Sequence, residues 1–133
     1  MDLLTDFAFS RLMLGTVQWG MPYGIANRQG QPTYEEARAI LACAYEGGVN
    51  CLDTAAAYGT SEEVIGRALE ELGLKDHFIV VTKLRHLRHK EFTKQEAEAE
   101  IEDSVRSSLR RLRRESLPIV LFHDIEDLRY IEA

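Results

Sequence analysis

A chain of 133 residues is long enough for one ordinary domain with its own core. With 45% apolar and 29% charged residues it reads as globular rather than disordered or fibrous, and a net charge of −6 argues against a general affinity for nucleic acid. No apolar stretch reaches the roughly 18 to 20 residues of a membrane helix, and the acidic start MDLLTDFAFSR lacks the apolar core of a signal peptide.

In chain order, Leu12, Met13 and Leu14 form a short apolar run closed by Gly15, and a polar, glycine-rich stretch follows from Gly20 to Pro32. Thr33 and Glu36 make a capping-box pattern, a hydroxyl at the helix start and a carboxylate three residues on. Behind it Ala37, Ile40, Leu41, Ala44 and Tyr45 recur at helical spacing, and Gly47-Gly48 ends the helix. Val49 to Leu52 reads as a buried strand ending at Asp53. Thr60 and Glu63 make a second capping box before Val64, Ile65, Ala68, Leu69 and Leu72, with Gly73 as the stop.

Phe78 to Val81 reads as a third strand, ending at Thr82-Lys83. Thr93 and Glu96 make a third capping box, and Ala97, Ile101, Val105, Ser108, Leu109 and Leu112 trace the inner face of a helix. Leu117 to Phe122 is the fourth strand, with Pro118 near its start, where a missing N–H is tolerated. Asp124 to Ala133 reads as a loop and the opening of a fourth helix. Four near-continuous apolar strands, each followed by a helix or its beginning, imply an α/β fold with a parallel sheet covered on both faces. A doubly wound open sheet and part of a (β/α)8 barrel both fit this pattern.

In parallel sheets chemistry collects at the C-terminal ends of the strands. Asp53, Lys83 and His123 stand at three such ends. Each alone has a structural explanation as a turn cap, a solvated strand end or a hydrogen-bonded core-edge histidine. Together they project from one rim, which points to catalysis. Tyr58 lies five residues after Asp53, with small residues between and Gly59 behind, so the phenol can turn back over the strand ends.

Other features carry less. Cys43 and Cys51, eight residues apart, match no zinc spacing and are expected to be buried, reduced thiols. His86 and His89 are spaced like a metal pair, but no third ligand stands near them in sequence and no metal is expected. Basic residues cluster at Arg85, Arg88 and Lys90, and again at Arg110, Arg111, Arg113 and Arg114. The second cluster, at a helix end, is expected to complement the helix dipole and stay solvated.

The stretch DTAAAYGTSE, residues 53–62, resembles the signature of the aldo-keto reductases, as do Leu14-Gly15-Thr16, Thr82-Lys83, Ser108-Leu109 with Leu112, and Leu121-Phe122-His123. The resemblance runs from about Leu12 to Asp124. Pro118 departs from it, standing where many members carry an acidic residue. The resemblance implies a (β/α)8 (TIM) barrel of which residues 1–133 are one partial domain, about the first half with four strands, ending within the fourth helix. It implies an oxidoreductase that reduces an aldehyde or ketone with NADP, or alternatively NAD; composition and the two reduced thiols point to a cytoplasmic protein.

Residue by residue, it makes Asp53, Tyr58, Lys83 and His123 the catalytic set, with Gly15, Thr16 and Asp53 near the nicotinamide. Trp19, just past the first strand, is a candidate wall of the substrate pocket or plain packing. Chemistry supports these roles. A carbonyl gaining hydride must also gain a proton, a phenol holds its proton to about pH 10, and a lysine cation beside a phenol favours its release. Aspartate would hold the lysine in place, and the histidine would donate a hydrogen bond to the carbonyl oxygen. Tyr58 is the expected general acid.

The chain has no glycine-rich dinucleotide fingerprint, and the resemblance implies that the loops gripping the cofactor phosphates follow the last strands of a complete barrel. The 133 residues alone are therefore expected to be inactive, with open sheet edges favouring self-association. A non-catalytic half-barrel acting as a binding or assembly module is the alternative.

Overall fold

The computed structural model describes residues 7–87 and 91–130. Its frame is one parallel sheet of four strands in the order β1-β2-β3-β4, with β1 at Leu14–Gly15, β2 at Cys51–Asp53, β3 at Ile79–Lys83 and β4 at Ile119–Leu121. A single turn, α1 (Val17–Gly20), follows β1, and the helices α2 (Tyr34–Glu46), α3 (Ser61–Glu71) and α4 (Lys94–Leu112) make the crossovers. Sequential strands are neighbours throughout, the ordering of an unrolled barrel segment.

Register decides which residues share a face. Leu14 pairs with Leu52, and Leu52 with Val80. Leu52 and Val80 are fully buried in a cluster with Leu41 of α2, Ile65 and Leu69 of α3 and Leu112 of α4, so this is the helix-covered face. Val80 therefore faces the helices, and alternation along β3 sends Val81 and Lys83 to the other face. Ile119 and Leu121, paired with Val81 and Lys83, do belong to that other face. Leu121 is 44% exposed there.

Two capping boxes form as expected. Thr33 accepts from the Glu36 amide and Thr93 from the Glu96 amide, each glutamate returning the bond to the threonine N–H. The Thr60–Glu63 box does not form. A box needs an extended N-cap, but the left-handed turn at Gly59 (φ 54°) leaves Thr60 at φ −92°, ψ 9°, with its N–H directed to the Gly20 carbonyl at 3.3 Å. Cys51 is buried, but Cys43 is exposed. It lies two residues past the buried Leu41, about 200° around α2 and so on its solvent side. The chain after β4 is a 3-10 turn, Ile125–Tyr130, where an α-helix was expected to open. Ile131 to Ala133 lie outside the described residues.

The arginines at the end of α4 tie it to its neighbours. Arg111 Nε donates to Glu62 Oε2 at 2.7 Å, Arg113 pairs with Glu70, and the Arg114 guanidinium donates to the Lys75 and Phe78 carbonyls at 2.7 and 2.8 Å. Burial lowers the pKa of Arg114. A solvated cluster complementing the helix dipole is therefore not what forms. Arg88 and Lys90 lie outside the described residues.

Candidate active site

The pairing register accounts for the meeting of three strand-end residues. Asp53 aligns with Val81, and Lys83 lies two residues further along the same face. Lys83 aligns with Leu121, and His123 lies two residues beyond that. Each step of two keeps the side chain on one face while the rim climbs, the stagger of a closing barrel. Backbone bonds prolong the ladder past the strands: Thr54 N–H to the Val81 carbonyl, Ala56 N–H to the Lys83 carbonyl, and Leu84 N–H to the Leu121 carbonyl, at 2.9 to 3.0 Å.

Lys83 is the centre of the group. Its Nζ donates to Asp53 Oδ1 at 2.6 Å and to the Thr54 carbonyl at 2.9 Å, and lies 5.0 Å from the centroid of the Tyr58 ring. Its side chain is only 16% exposed and that of Asp53 33%, so water screens this pair less than an exposed one. The His123 ring stands edge-on to Tyr58, 87° between planes and 5.9 Å between centroids. The four residues singled out from the sequence therefore form one group at one rim.

Tyr58 reaches the rim because two backbones nearly touch. A Cβ on Gly20 would sit 1.6 Å from the Tyr58 carbonyl oxygen, and one on Gly59 would sit 2.2 Å from the Gly20 carbonyl oxygen. Only glycine fits at either position, and Gly59 also holds a positive φ. The tyrosine loop is thus clamped to the end of α1.

Below this loop lies a buried knot of hydroxyls. Ser61 Oγ donates to either the carbonyl or the hydroxyl oxygen of Thr16, each at 2.9 Å, and shares a 3.0 Å bond with Thr54. Thr16 donates to the Asp53 carbonyl through its hydroxyl at 2.8 Å and its N–H at 3.0 Å. The structure gives Thr16 this positioning part, with its hydroxyl engaged inside the protein. Gly15, paired with Asp53, is exposed, and a Cβ there would meet nothing within 4 Å. Trp19 is 4% exposed and packed in the core cluster, so of its two readings the structure gives packing.

Sequence reasoning missed the support under the signature. Glu62 is 1% exposed, yet it accepts from Thr82 Oγ1 at 2.6 Å and from Arg111 at 2.7 Å, joining α3, β3 and α4 beneath Lys83. It also missed the contact of His86 with His123, whose ring centroids lie 3.9 Å apart. Nothing in local spacing marks either contact, because the partners are 20 to 49 residues apart in sequence.

Comparison with known proteins bears on this arrangement. The sequence profile of the aldo/keto reductase family matches residues 11–133. The chain belongs to the aldo/keto reductase family. Among curated aldo/keto reductases it is 30% identical to aldo-keto reductase YhdN of Bacillus subtilis, over 96% of this chain and 38% of that protein. It is 32% identical to D-arabinose 1-dehydrogenase of Saccharomyces cerevisiae, over 68% of this chain and 28% of that protein.

A solved aldo-keto reductase structure from Pseudomonas aeruginosa superposes with a TM-score of 0.76 at 35% identity, covering 96% of this chain and 48% of that one. An aldo-keto reductase from Klebsiella pneumoniae in complex with NADPH gives a TM-score of 0.65 at 28% identity, covering 96% and 42%. The chain thus spans less than half the length of these relatives. Its four-stranded sheet corresponds to about half of their chains. Among the described residues no helix is long and apolar enough to cross a membrane.

Proposed function

We propose that Asp53, Tyr58, Lys83 and His123 are the catalytic group of an NADP-dependent oxidoreductase that reduces an aldehyde or ketone to an alcohol. The observation that carries this reading is Lys83 Nζ, held at 2.6 Å by Asp53 and 5.0 Å from the Tyr58 ring, with His123 on the ring's edge. The solved relative in complex with NADPH supports the choice of cofactor.

The residues present suit the nicotinamide end of that cofactor. The open rim at Gly15 leaves room for a flat ring beside Asp53, and Gly15, Thr16 and Asp53 would border it. When bound, the nicotinamide supplies the hydride. The protein's own part is the proton: Tyr58 delivers it to the carbonyl oxygen as negative charge develops there, and Lys83 stabilises the phenolate left behind. Asp53 fixes Lys83 in position, and His123 orients the carbonyl oxygen by a hydrogen bond. The family resemblance puts the loops that grip the cofactor's phosphates after the last strands of a complete barrel, so the 133 residues by themselves should bind NADPH too weakly to turn over.

Two protein samples test this reading. One is the chain alone; the other is the chain joined to the second half of the Pseudomonas relative, which completes the barrel. The completed barrel is expected to oxidise NADPH in the presence of an aldehyde, and the chain alone to show no saturable NADPH binding by calorimetry at micromolar concentration. Tight stoichiometric binding by the chain alone would overturn the second half of the proposal. A folded, NADPH-binding chimaera without reductase activity would overturn the first. That outcome would favour the second reading, a binding or assembly half-barrel. Two observations point toward that reading: the exposed Leu121 on the outermost strand β4, and a match of 36% identity over 55% of this chain to a probable voltage-gated potassium channel subunit beta of Arabidopsis thaliana.

A further inference from the structure

Beside the tetrad of Asp53, Tyr58, Lys83 and His123, the loop after β3 runs against the chain after β4, and three groups able to ligate a metal meet there. His86, Asp124 and Asp127 each offer one donor atom, and the three atoms all lie within 4.8 Å of one another. His86 Nδ1 and Asp124 Oδ2 are 2.6 Å apart. The Asp127 N–H donates to the Asp124 carbonyl at 3.1 Å, a turn that keeps the two residues together.

Asp127 is the anomaly. It is 0% exposed, yet among the described residues its Oδ1 has no hydrogen-bond partner and its Oδ2 receives only a long 3.3 Å bond from Leu87 N–H. A carboxylate removed from water without full compensation is costly. Salt bridges compensate the other buried acid, Glu62, through Arg111. Asp127 thus brings a buried, uncompensated oxygen to within ligand reach of the His86–Asp124 pair.

We propose that His86, Asp124 and Asp127 form a binding site for a divalent transition-metal cation of the Zn2+ or Mn2+ class. One imidazole nitrogen and two carboxylates, with no sulfur, suit such an ion better than Cu+. Metal–ligand bonds of about 2.0 to 2.2 Å put neighbouring donors roughly 3 Å apart. The His86–Asp124 pair would open by a few tenths of an ångström, and the widest pair, no more than 4.8 Å apart, would close by at most about 1.8 Å. The remaining coordination positions fall to water. Because the His86 ring lies 3.9 Å from His123, the ion would fasten the loop carrying His86 to the strand end carrying His123. The inference stands apart from the reductase reading, since none of its ligands belongs to the tetrad. Sequence spacing, which led to the expectation of no metal, could not reveal it: the carboxylates lie 38 and 41 residues beyond His86, while His89 lies outside the described residues.

Cobalt(II) is the probe, because its visible spectrum reports its ligands. Titrating the full chain with Co2+ should give one equivalent of binding with a nitrogen–oxygen spectrum. Asp127→Asn and His86→Ala should each weaken it at least tenfold. Cys43→Ser, which removes the exposed thiol, should leave it unchanged. Circular dichroism checks that each variant folds, and His86, with 27% of its side chain exposed, is the substitution more easily tolerated should Asp127→Asn unfold. Absence of saturable binding, binding that survives His86→Ala, or a thiolate charge-transfer band abolished by Cys43→Ser would each overturn the proposal.

Discussion

Gly20→Ala should disturb the Tyr58 loop more than any other single-methyl change at the rim. The added Cβ would lie 1.6 Å from the Tyr58 carbonyl oxygen and 2.5 Å from the Ser61 nitrogen, both of them backbone atoms. Restoring ordinary contact, near 3.4 Å, requires a displacement of about 1.8 Å that no rotamer change supplies. Overpacking costs typically about 1 to 3 kcal/mol, and the upper end applies here because neither neighbour can swing away. Gly15→Ala is the control: its Cβ meets nothing within 4 Å, so its effect should stay within about 0.5 kcal/mol. Urea unfolding followed by circular dichroism measures both. In the completed barrel Gly20→Ala should also lower turnover by roughly 100-fold, since an ångström of misplacement near the chemistry costs about that much. A Gly20→Ala chain as stable as the parent would refute the clamp.

Arg111→Met should destabilise the fold by about 3 kcal/mol, the low end for stranding a buried charge because the Arg111 side chain is 26% exposed. Glu62→Gln in the same chain should recover much of that loss in the same unfolding assay. A thiol reagent should modify Cys43 rapidly and Cys51 slowly until denaturant is added, because burial, then the charge of Asp53, raises the Cys51 pKa; equal rates would contradict the burial. The two edge strands, β1 beside exposed Leu12 and Met13 and β4 with exposed Leu121, should drive self-association, most simply a two-fold dimer, visible by sedimentation. A cooperative monomer at micromolar concentration would argue against it.

The alternation of strands and helices was readable because periodicity and capping chemistry are local. Thr33 with Glu36 and Thr93 with Glu96 announce their helices within four residues. Thr60 with Glu63 follows the same pattern and fails, because a tertiary contact at Gly20 sets the Thr60 conformation. The tetrad was legible for a related reason: each member sits at or just past a strand end, and a parallel ladder with a two-residue stagger brings such ends together. Its supports were not. Glu62 reads as one more acidic residue in a helix start, and only the packing of α4 places Arg111 against it. Trp19 shows the opposite failure, since proximity to a strand end does not say whether a side chain turns to the rim or to the core.

The proton donor is the central claim, and Tyr58→Phe in the completed barrel tests it most directly, because the change removes one hydroxyl and leaves the ring beside Lys83 and His123. Reduction of an aldehyde in a single turnover should slow by about 100- to 10,000-fold, the usual contribution of a general acid, while NADPH affinity stays within about twofold of the parent. Reduction at close to the parent rate would contradict the assignment of Tyr58.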